Sequence, residues 1–552
     1  MTLDVPHMAL HGYAAAVRRR LEEWDRIAFA RRLWAKDGTL WSPTPVPELD
    51  DRLGWLILPE AMRGQAAALR RFGEDVAREG MRHVVVLGMG GSSLAPEVFQ
   101  RTYGNSAGRP ELIVLDSTHP DAVRAVESRI DVSRTLFLVS SKSGTTVETT
   151  SLFQYFWHRV GDVSSRGQHF VAITDRGTPL AGLADERGFR RTFDAPADVG
   201  GRYSALTVFG LVPAALIGVD IDRLLERARS MAEKSGPSVA CSENPALVLG
   251  AALGELALAG RDKVTFLASP ALESLPSWIE QLIAESTGKD GKGIVPVVDE
   301  PSVDPRRYGG DRFFVFLGTD SHPAGDLDGR ADALEAAGHP VARIRLADHA
   351  ELGGEFLRWQ IAVASAGAVL GIHPFNQPDV QLAKELAQRA IEDRGTRPSA
   401  KGGDAEISAT DRTSLADALR VWTAAIRPGH YLAIQAYLSP STEISAGLGD
   451  IRGDLLRRLR VATTVGCGPR FLHSTGQLHK GGPNTGHFLQ LVDEPVDDLA
   501  VPEAHYTFGS LIAAQAFGDL GALRQRGRHV IRLQLGQDAP GGLRKVAEAL
   551  RA

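Results

Sequence analysis

Residues 136–150, LFLVSSKSGTTVETT, run from an apolar, β-rich stretch through a Ser/Thr/Gly turn directly into a helix pattern. That succession makes an anion site. The first N–H groups of a helix lack intrahelical partners, the helix dipole puts its positive end there, and the hydroxyls of Ser141, Ser143, Thr145 and Thr146 can point at one anion, with Lys142 in the same turn. A second such turn lies upstream, where RHVVVLGMGGSSLAPEVF (82–99) passes from a strand into a helix starting near Ser92. Gly88, Gly90 and Gly91 permit close approach there, so Gly91 and Ser92 can touch a sugar or its phosphate. Two such turns suit a sugar phosphate, although polar turns also serve merely as helix caps. GMGGSS lacks the last glycine of a dinucleotide fingerprint, and Asp116 after the next strand is a weak ribose ligand.

Four other residues have types that could carry out proton transfer or stabilise charge. Glu285 ends the amphipathic segment SLPSWIEQLIAES (274–286), and Arg202 follows two glycines in GGRYS (200–204). Lys384 lies in HPFNQPDVQLAKE (373–385), and His473 in GPRFLHSTGQLHKGGP (468–483). Taken singly, each has a bland reading: a solvated helix-end carboxylate, a surface ion pair, a solvent-facing lysine and a packed histidine.

The elements that must position these groups are those of an α/β protein with parallel sheets. A segment at 1–65 reads as helical, with Trp24, Trp34, Trp41 and Trp55 as packing anchors. A first unit (66–235) alternates apolar runs at 84–87, 112–115, 136–139 and 170–173 with helical periods. A second (236–394) has strands near 264–267, 313–317 and 341–344, and residues 395–413, GTRPSAKGGDAEISATDRT, suit an exposed linker. A third α/β unit (414–552) repeats the layout of the second: RDKVTFLASPALES pairs with RPGHYLAIQAYLSPSTE, DRFFVFLG with TGHFLQLV, and HPVARIRL with RHVIRLQL. This order predicts a partial duplication of about 261–346 in about 427–535, which shared α/β patterning alone could also imitate.

Composition narrows the function classes. The chain has 552 residues, 43% hydrophobic and 23% charged, with a net charge of -5, enough for three or four domain-sized units. Lys and Arg are scattered, with no basic stripe interleaved with aromatics, so no nucleic-acid partner is expected. Cys241 and Cys467 stand alone without CxxC spacing, which argues against a disulfide scaffold and cysteine-held metal and for a reducing compartment. MTLDVPHM is no leader pattern, and the longest apolar run, 361–372, is too short for a bilayer that needs about 20 residues. A cytoplasmic protein without a membrane partner is expected.

The two phosphate turns, GGRYS, AESTGKDGKG (284–293) and HPFNQPDVQLAKE together resemble the phosphoglucose isomerase family, over nearly the whole chain. RRLWAKDGTLWS (31–42) and GPRFLHSTGQLHKGGP are in the style of the isomerase portion of bacterial transaldolase/phosphoglucose isomerase fusions. A transaldolase half would need several hundred residues before Met1, so only the isomerase activity is implied. The resemblance implies sugar-isomerase (SIS) type three-layer αβα units, no cofactor, no metal, and interconversion of glucose 6-phosphate and fructose 6-phosphate through an enediol in glycolysis and gluconeogenesis. It makes Glu285 the base that moves the proton, and sets Arg202 and Gly201 beside the charged intermediate. Lys384 fits the family's FxQxxVxxxK spacing through Phe375, Gln377 and Val380, and would open the sugar ring with His473. A sugar-phosphate sensor without turnover, or an isomerase of another phosphosugar such as mannose 6-phosphate, stays open.

The histidine departs from the family pattern. Most members place it between the glutamate and the lysine, yet VDEPSVDPRRYGGDR (298–312) contains none and LHSTGQLHKGG (472–482) follows Lys384. His373 and His479 are weaker substitutes. In the family this histidine arrives from the neighbouring subunit of a homodimer. The third unit is therefore expected to replace that neighbour, giving a monomer with an internal pseudo-dimer, with a homodimer as the alternative.

Overall fold

A computed structural model describes residues 5–49, 51–161, 165–320, 326–392 and 407–551. Among them, short apolar runs rich in Val, Ile, Phe and Leu form three five-stranded sheets. One short strand, β1 (His7–Ala9), lies within the segment expected to be wholly helical, because the edge of a distant sheet offers it a partner.

The first sheet contains β2 (His83–Gly88), β3 (Glu111–Leu115), β4 (Thr135–Ser140), β5 (Phe170–Asp175) and β6 (Arg191–Ala195), all parallel, in the order β3-β2-β4-β5-β6. Val84, Val85, Val86 and Leu87 are all buried, so both faces of β2 are covered, as parallel sheets require. The chain leaves β2 toward β3 and then crosses back to β4 on the other side of β2. A crevice opens beyond the carboxyl ends of the strands at such a reversal. Both glycine- and serine-rich turns, after β2 and after β4, lie at this point.

The second sheet contains β7 (Lys263–Ala268), β8 (Val295–Val297), β9 (Arg312–Thr319) and β10 (Val341–Leu346), in the order β1-β10-β9-β7-β8 with β1 antiparallel. The third contains β11 (Ile407–Ser408), β12 (Tyr431–Tyr437), β13 (Ala462–Cys467), β14 (Gly486–Val492) and β15 (His529–Gln534), in the order β11-β15-β14-β12-β13. The strands paired by sequence, β7 with β12, β9 with β14 and β10 with β15, hold equivalent places in the two orders. Strands β3-β2-β4-β5 of the first sheet follow that same order, so the order of these four strands alone does not single out the second and third sheets as copies.

Residues 395–406 of the expected linker lie outside the described residues. Its remainder is ordered: β11 pairs in parallel with β15, and Asp411 caps the helix Arg412–Ala424 by accepting from Ser414 N–H. The polar composition that suggested a linker here supplies a helix cap instead. Strands β6 and β8 were not expected, since β6 alternates polar residues and β8 is only three residues long. The apolar run at 361–372 lies mostly in the helix Leu352–Leu370, buried on nearly every side, and no helix among the described residues is long and apolar enough to cross a membrane.

Candidate active site

A cavity of about 900 Å³ opens at the carboxyl ends of β2 and β4. Glu285, Arg202, His473, Lys384, Gly91, Ser92, Ser141, Lys142, Ser143, Thr145, Thr146 and Gly201 all line it. Residues separated by hundreds of positions thus meet around one space.

The turn after β4 is organised by its own hydrogen bonds. Ser141 Oγ lies 2.9 Å from Thr146 Oγ1 and accepts from Gly144 N–H, while Ser143 Oγ accepts from Thr145 N–H and Oγ1. Gly144 has φ +68°, a conformation that side-chain-bearing residues rarely adopt. Ser143 and Thr145 are exposed to the cavity whereas Ser141 is buried, so the hydroxyls divide between shaping the turn and facing the space. Lys142 is ion-paired with Asp175 at the end of β5.

The glycines after β2 also let two loops approach closely. A Cβ on Gly91 would collide with the Gly201 carbonyl, and one on Gly90 would fall 2.7 Å from the His473 carbonyl oxygen. Their close approach is to the loops that carry Arg202 and His473, which explains their type.

Two ion pairs face the cavity. In the first, Arg202 Nη1 donates to Glu285 Oε2 at 2.8 Å. Its Nε donates to Ser286 Oγ (3.0 Å) and its Nη2 to the carbonyls of Pro374 (3.0 Å) and Asn376 (2.9 Å). Arg202 and Glu285 are both buried, and the fork geometry leaves the cation one orientation. Glu285 is therefore held by a cation and by Gln281 Nε2 at 3.4 Å, in place of a purely apolar setting.

In the second pair, His473 Nε2 lies 2.8 Å from Glu148 Oε1. Glu148 stands in the first turn of the helix Val147–Val160 and is buried. Burial alone would push its carboxyl upward. The charge and hydrogen bond of His473, its own backbone N–H and the charge of Lys384 outweigh that and hold it below the usual glutamate range. An ionised carboxylate only accepts, so His473 Nε2 is the donor. Lys384 lies on the helix Gln381–Glu392, which packs against the helix Phe508–Gln525 of the third sheet's layer, where Gly518 meets the Ala383 carbonyl.

His473 thus reaches the cavity despite its place in the chain, whereas His373 and His479 do not serve in its stead. His373 Nε2 contacts the Pro47 carbonyl, and His479 packs among Tyr431, Phe471 and Phe488, where burial keeps it neutral.

Sequence reasoning missed Glu148, Gln281, Lys289 and Gln515. Gln281 Nε2 also donates to the His473 carbonyl at 2.9 Å, so one amide touches both ion pairs. Lys289 Nζ, buried and held well below the usual lysine range by burial and then by the charge of Arg202, donates to the carbonyls of His373 and Asn376 at 2.5 Å each. Arg202 and Lys289 so share the Asn376 carbonyl and pin the loop that precedes Lys384. Glu148 had one sequence signal, an acidic residue in the first turn after a phosphate-type loop, but that position ordinarily serves the helix dipole.

Comparison with known proteins points to one family. The family model for Phosphoglucose isomerase matches residues 66–301. A glucose-6-phosphate isomerase of Rubrobacter xylanophilus is 31% identical over 418 residues, covering 67% of this chain and 93% of that one. Another, of Parabacteroides distasonis, is 30% identical over 390 residues, 61% of this chain and 86% of that one. Among solved structures, a hypothetical protein of Thermus thermophilus superposes with a TM-score of 0.61 at 25% identity, over 71% of this chain and all (100%) of that chain. A glucose-6-phosphate isomerase of Chlamydia trachomatis shares the fold with a TM-score of 0.54 at 20% identity, over 68% and 80% of the two chains. With nearly the full length of a relative matched at 31% identity, and the same chemistry-bearing residues gathered in one cavity, the chain belongs to the phosphoglucose isomerase family.

Proposed function

We propose that this protein interconverts glucose 6-phosphate and fructose 6-phosphate through an enediol. One observation carries the reading: a buried carboxylate on an arginine, Glu285 with Arg202, and an imidazole on a second carboxylate, His473 with Glu148, line the same cavity as a phosphate-type turn.

The turn at 141–146, with Lys142, binds the phosphate, and Gly91, Ser92 and Gly201 border the sugar. Glu285 removes the proton from C2 of the open-chain aldose and returns it to C1, while the hydroxyl proton passes from O2 to O1, and the reverse reaction retraces both transfers. As the enediolate forms, negative charge grows on the two oxygens, and Arg202, fixed by four hydrogen bonds, meets it without having to move. Hexose phosphates are mainly closed rings. His473 and Lys384 exchange the proton between the ring oxygen and the anomeric hydroxyl that opens them.

Because His473 comes from within the chain, the third unit takes the place that a neighbouring subunit would hold, as expected of a partial duplication of 236–394. The protein then works as a monomer, and its specific activity is independent of dilution; an obligate dimer in light scattering, with activity lost on dilution, contradicts this. The two free cysteines, Cys241 and Cys467, suit the cytoplasm.

The reading is tested by following glucose 6-phosphate formation from fructose 6-phosphate with chelator-treated protein, beside Glu285→Gln. Turnover that survives chelation and collapses in the variant supports it. Binding without conversion points to a sensor, and preference for mannose 6-phosphate to the other epimer.

A further inference from the structure

Gln515 belongs to none of the motifs that carry the family resemblance, yet it closes a buried chain of hydrogen bonds behind His473. Its Nε2 donates to Glu148 Oε1 at 2.7 Å, the same oxygen that accepts from His473 Nε2 at 2.8 Å. Its Oε1 accepts from Thr118 Oγ1 at 2.8 Å. Thr118, Glu148 and Gln515 are all buried. The amide's orientation follows from chemistry: turned over, it would set its oxygen against an ionised carboxylate oxygen and take the nitrogen away from it.

We infer that Gln515 is a positioning residue for the reaction, locking the Glu148 carboxylate so that His473 donates from Nε2 and exchanges its catalytic proton at Nδ1. A single imidazole on a carboxylate can pivot about the shared hydrogen bond. A second donor on the same oxygen, itself tethered through Thr118 to the first sheet, removes that freedom. The third unit then supplies both the histidine, from the loop after β13, and the lock, from the helix Phe508–Gln525, while Glu148 and Thr118 come from the first unit. The groups facing Glu148 are His473, Lys384 on the helix Gln381–Glu392, and the Tyr437 hydroxyl on β12.

The inference rests on the isomerase reading, and two variants with two readouts keep the two apart. In Gln515→Leu, kcat falls about 10- to 100-fold with KM within about twofold, because the lost bond goes to a charged group that touches the reacting histidine. The acid limb of its rate profile moves to higher pH, since Glu148 loses a donor that favours its charged form. In Gln515→Glu, activity recovers as the pH is lowered, because the protonated acid can again donate to Glu148; the leucine variant shows no such recovery. Independently of turnover, 15N NMR of unliganded protein shows His473 protonated at Nε2 in the wild type and mixed between nitrogens in Gln515→Leu. Wild-type kcat and pH profile in Gln515→Leu overturn the inference. So does a parallel loss in both variants at every pH with an equal fall in Tm and an unchanged His473 tautomer, which marks plain packing. If the wild type never converts fructose 6-phosphate, the isomerase reading fails and the NMR comparison still decides the lock.

Discussion

The two ion pairs that line the cavity have the same parts and opposite origins. Arg202 and Glu285 lie 83 positions apart, both inside residues 66–301, the stretch that matches the family model. His473 and Glu148 lie 325 positions apart, and His473 is far outside that stretch. On the first side a cation is immobilised on a carboxylate, the one proposed to move a proton. On the second, a carboxylate is immobilised so that the imidazole can. On the proposed assignment, the groups for the carbon chemistry lie within one contiguous stretch of chain, whereas the ring-opening group is delivered from another part of the fold to a buried acceptor.

The comparison breaks most sharply at Glu285. Glu285→Gln should lower kcat about 10³-fold, the upper range for losing a general base, with KM little changed, in steady-state assays in both directions. A loss under tenfold would move the base elsewhere. Arg202→Ala removes the only cation paired with Glu285 among the described residues and takes the guanidinium donor from the Pro374 carbonyl; it should cost about 3–5 kcal/mol of stability, read from urea unfolding. An unfolding midpoint equal to the wild type's would contradict the pairing. His473→Asn should be milder, about 10²-fold on kcat, because the ring also opens slowly unaided.

The smallest effects concern pH. Glu148 has its folded-state carboxyl held down, so its contribution to stability is fully present above the ordinary glutamate value of 4.5 and is lost as the pH falls through its lower folded value. Glu148→Gln should abolish that acid segment of the Tm profile. His487, at the start of β14 beside His430 and His529, is pushed down to about 4, first by burial and then by those histidines and Arg427. Between its ordinary 6.5 and about 4 the unfolded chain takes up a proton that the folded chain refuses, so stability falls as the pH drops through that window. His487→Gln should flatten that segment; an unchanged slope would show that His487 is not its source.

The sequence made the two strand–turn–helix connections legible because they are local: a strand, a polar turn and a helix start adjoin in the chain. The spacing around Lys384 and the glycines before Arg202 were legible for the same reason. The glycines' part in packing was not legible, since only the fold shows that Gly91 meets Gly201 and Gly90 meets His473. Glu148, Lys289 and Gln515 stayed hidden because a buried Glu, Lys or Gln looks like a solvated one until its partners are known.

What the sequence alone determined is thus the α/β alternation, the two anion turns and the identity of the groups able to move protons, all fixed by short-range periodicity and residue type. That His473, displaced in chain order, still reaches Glu148, and that Gln515 holds that carboxylate, only the tertiary structure decided. A hydrogen bond depends on positions in space to within tenths of an ångström, and the packing of three sheets sets those across hundreds of residues.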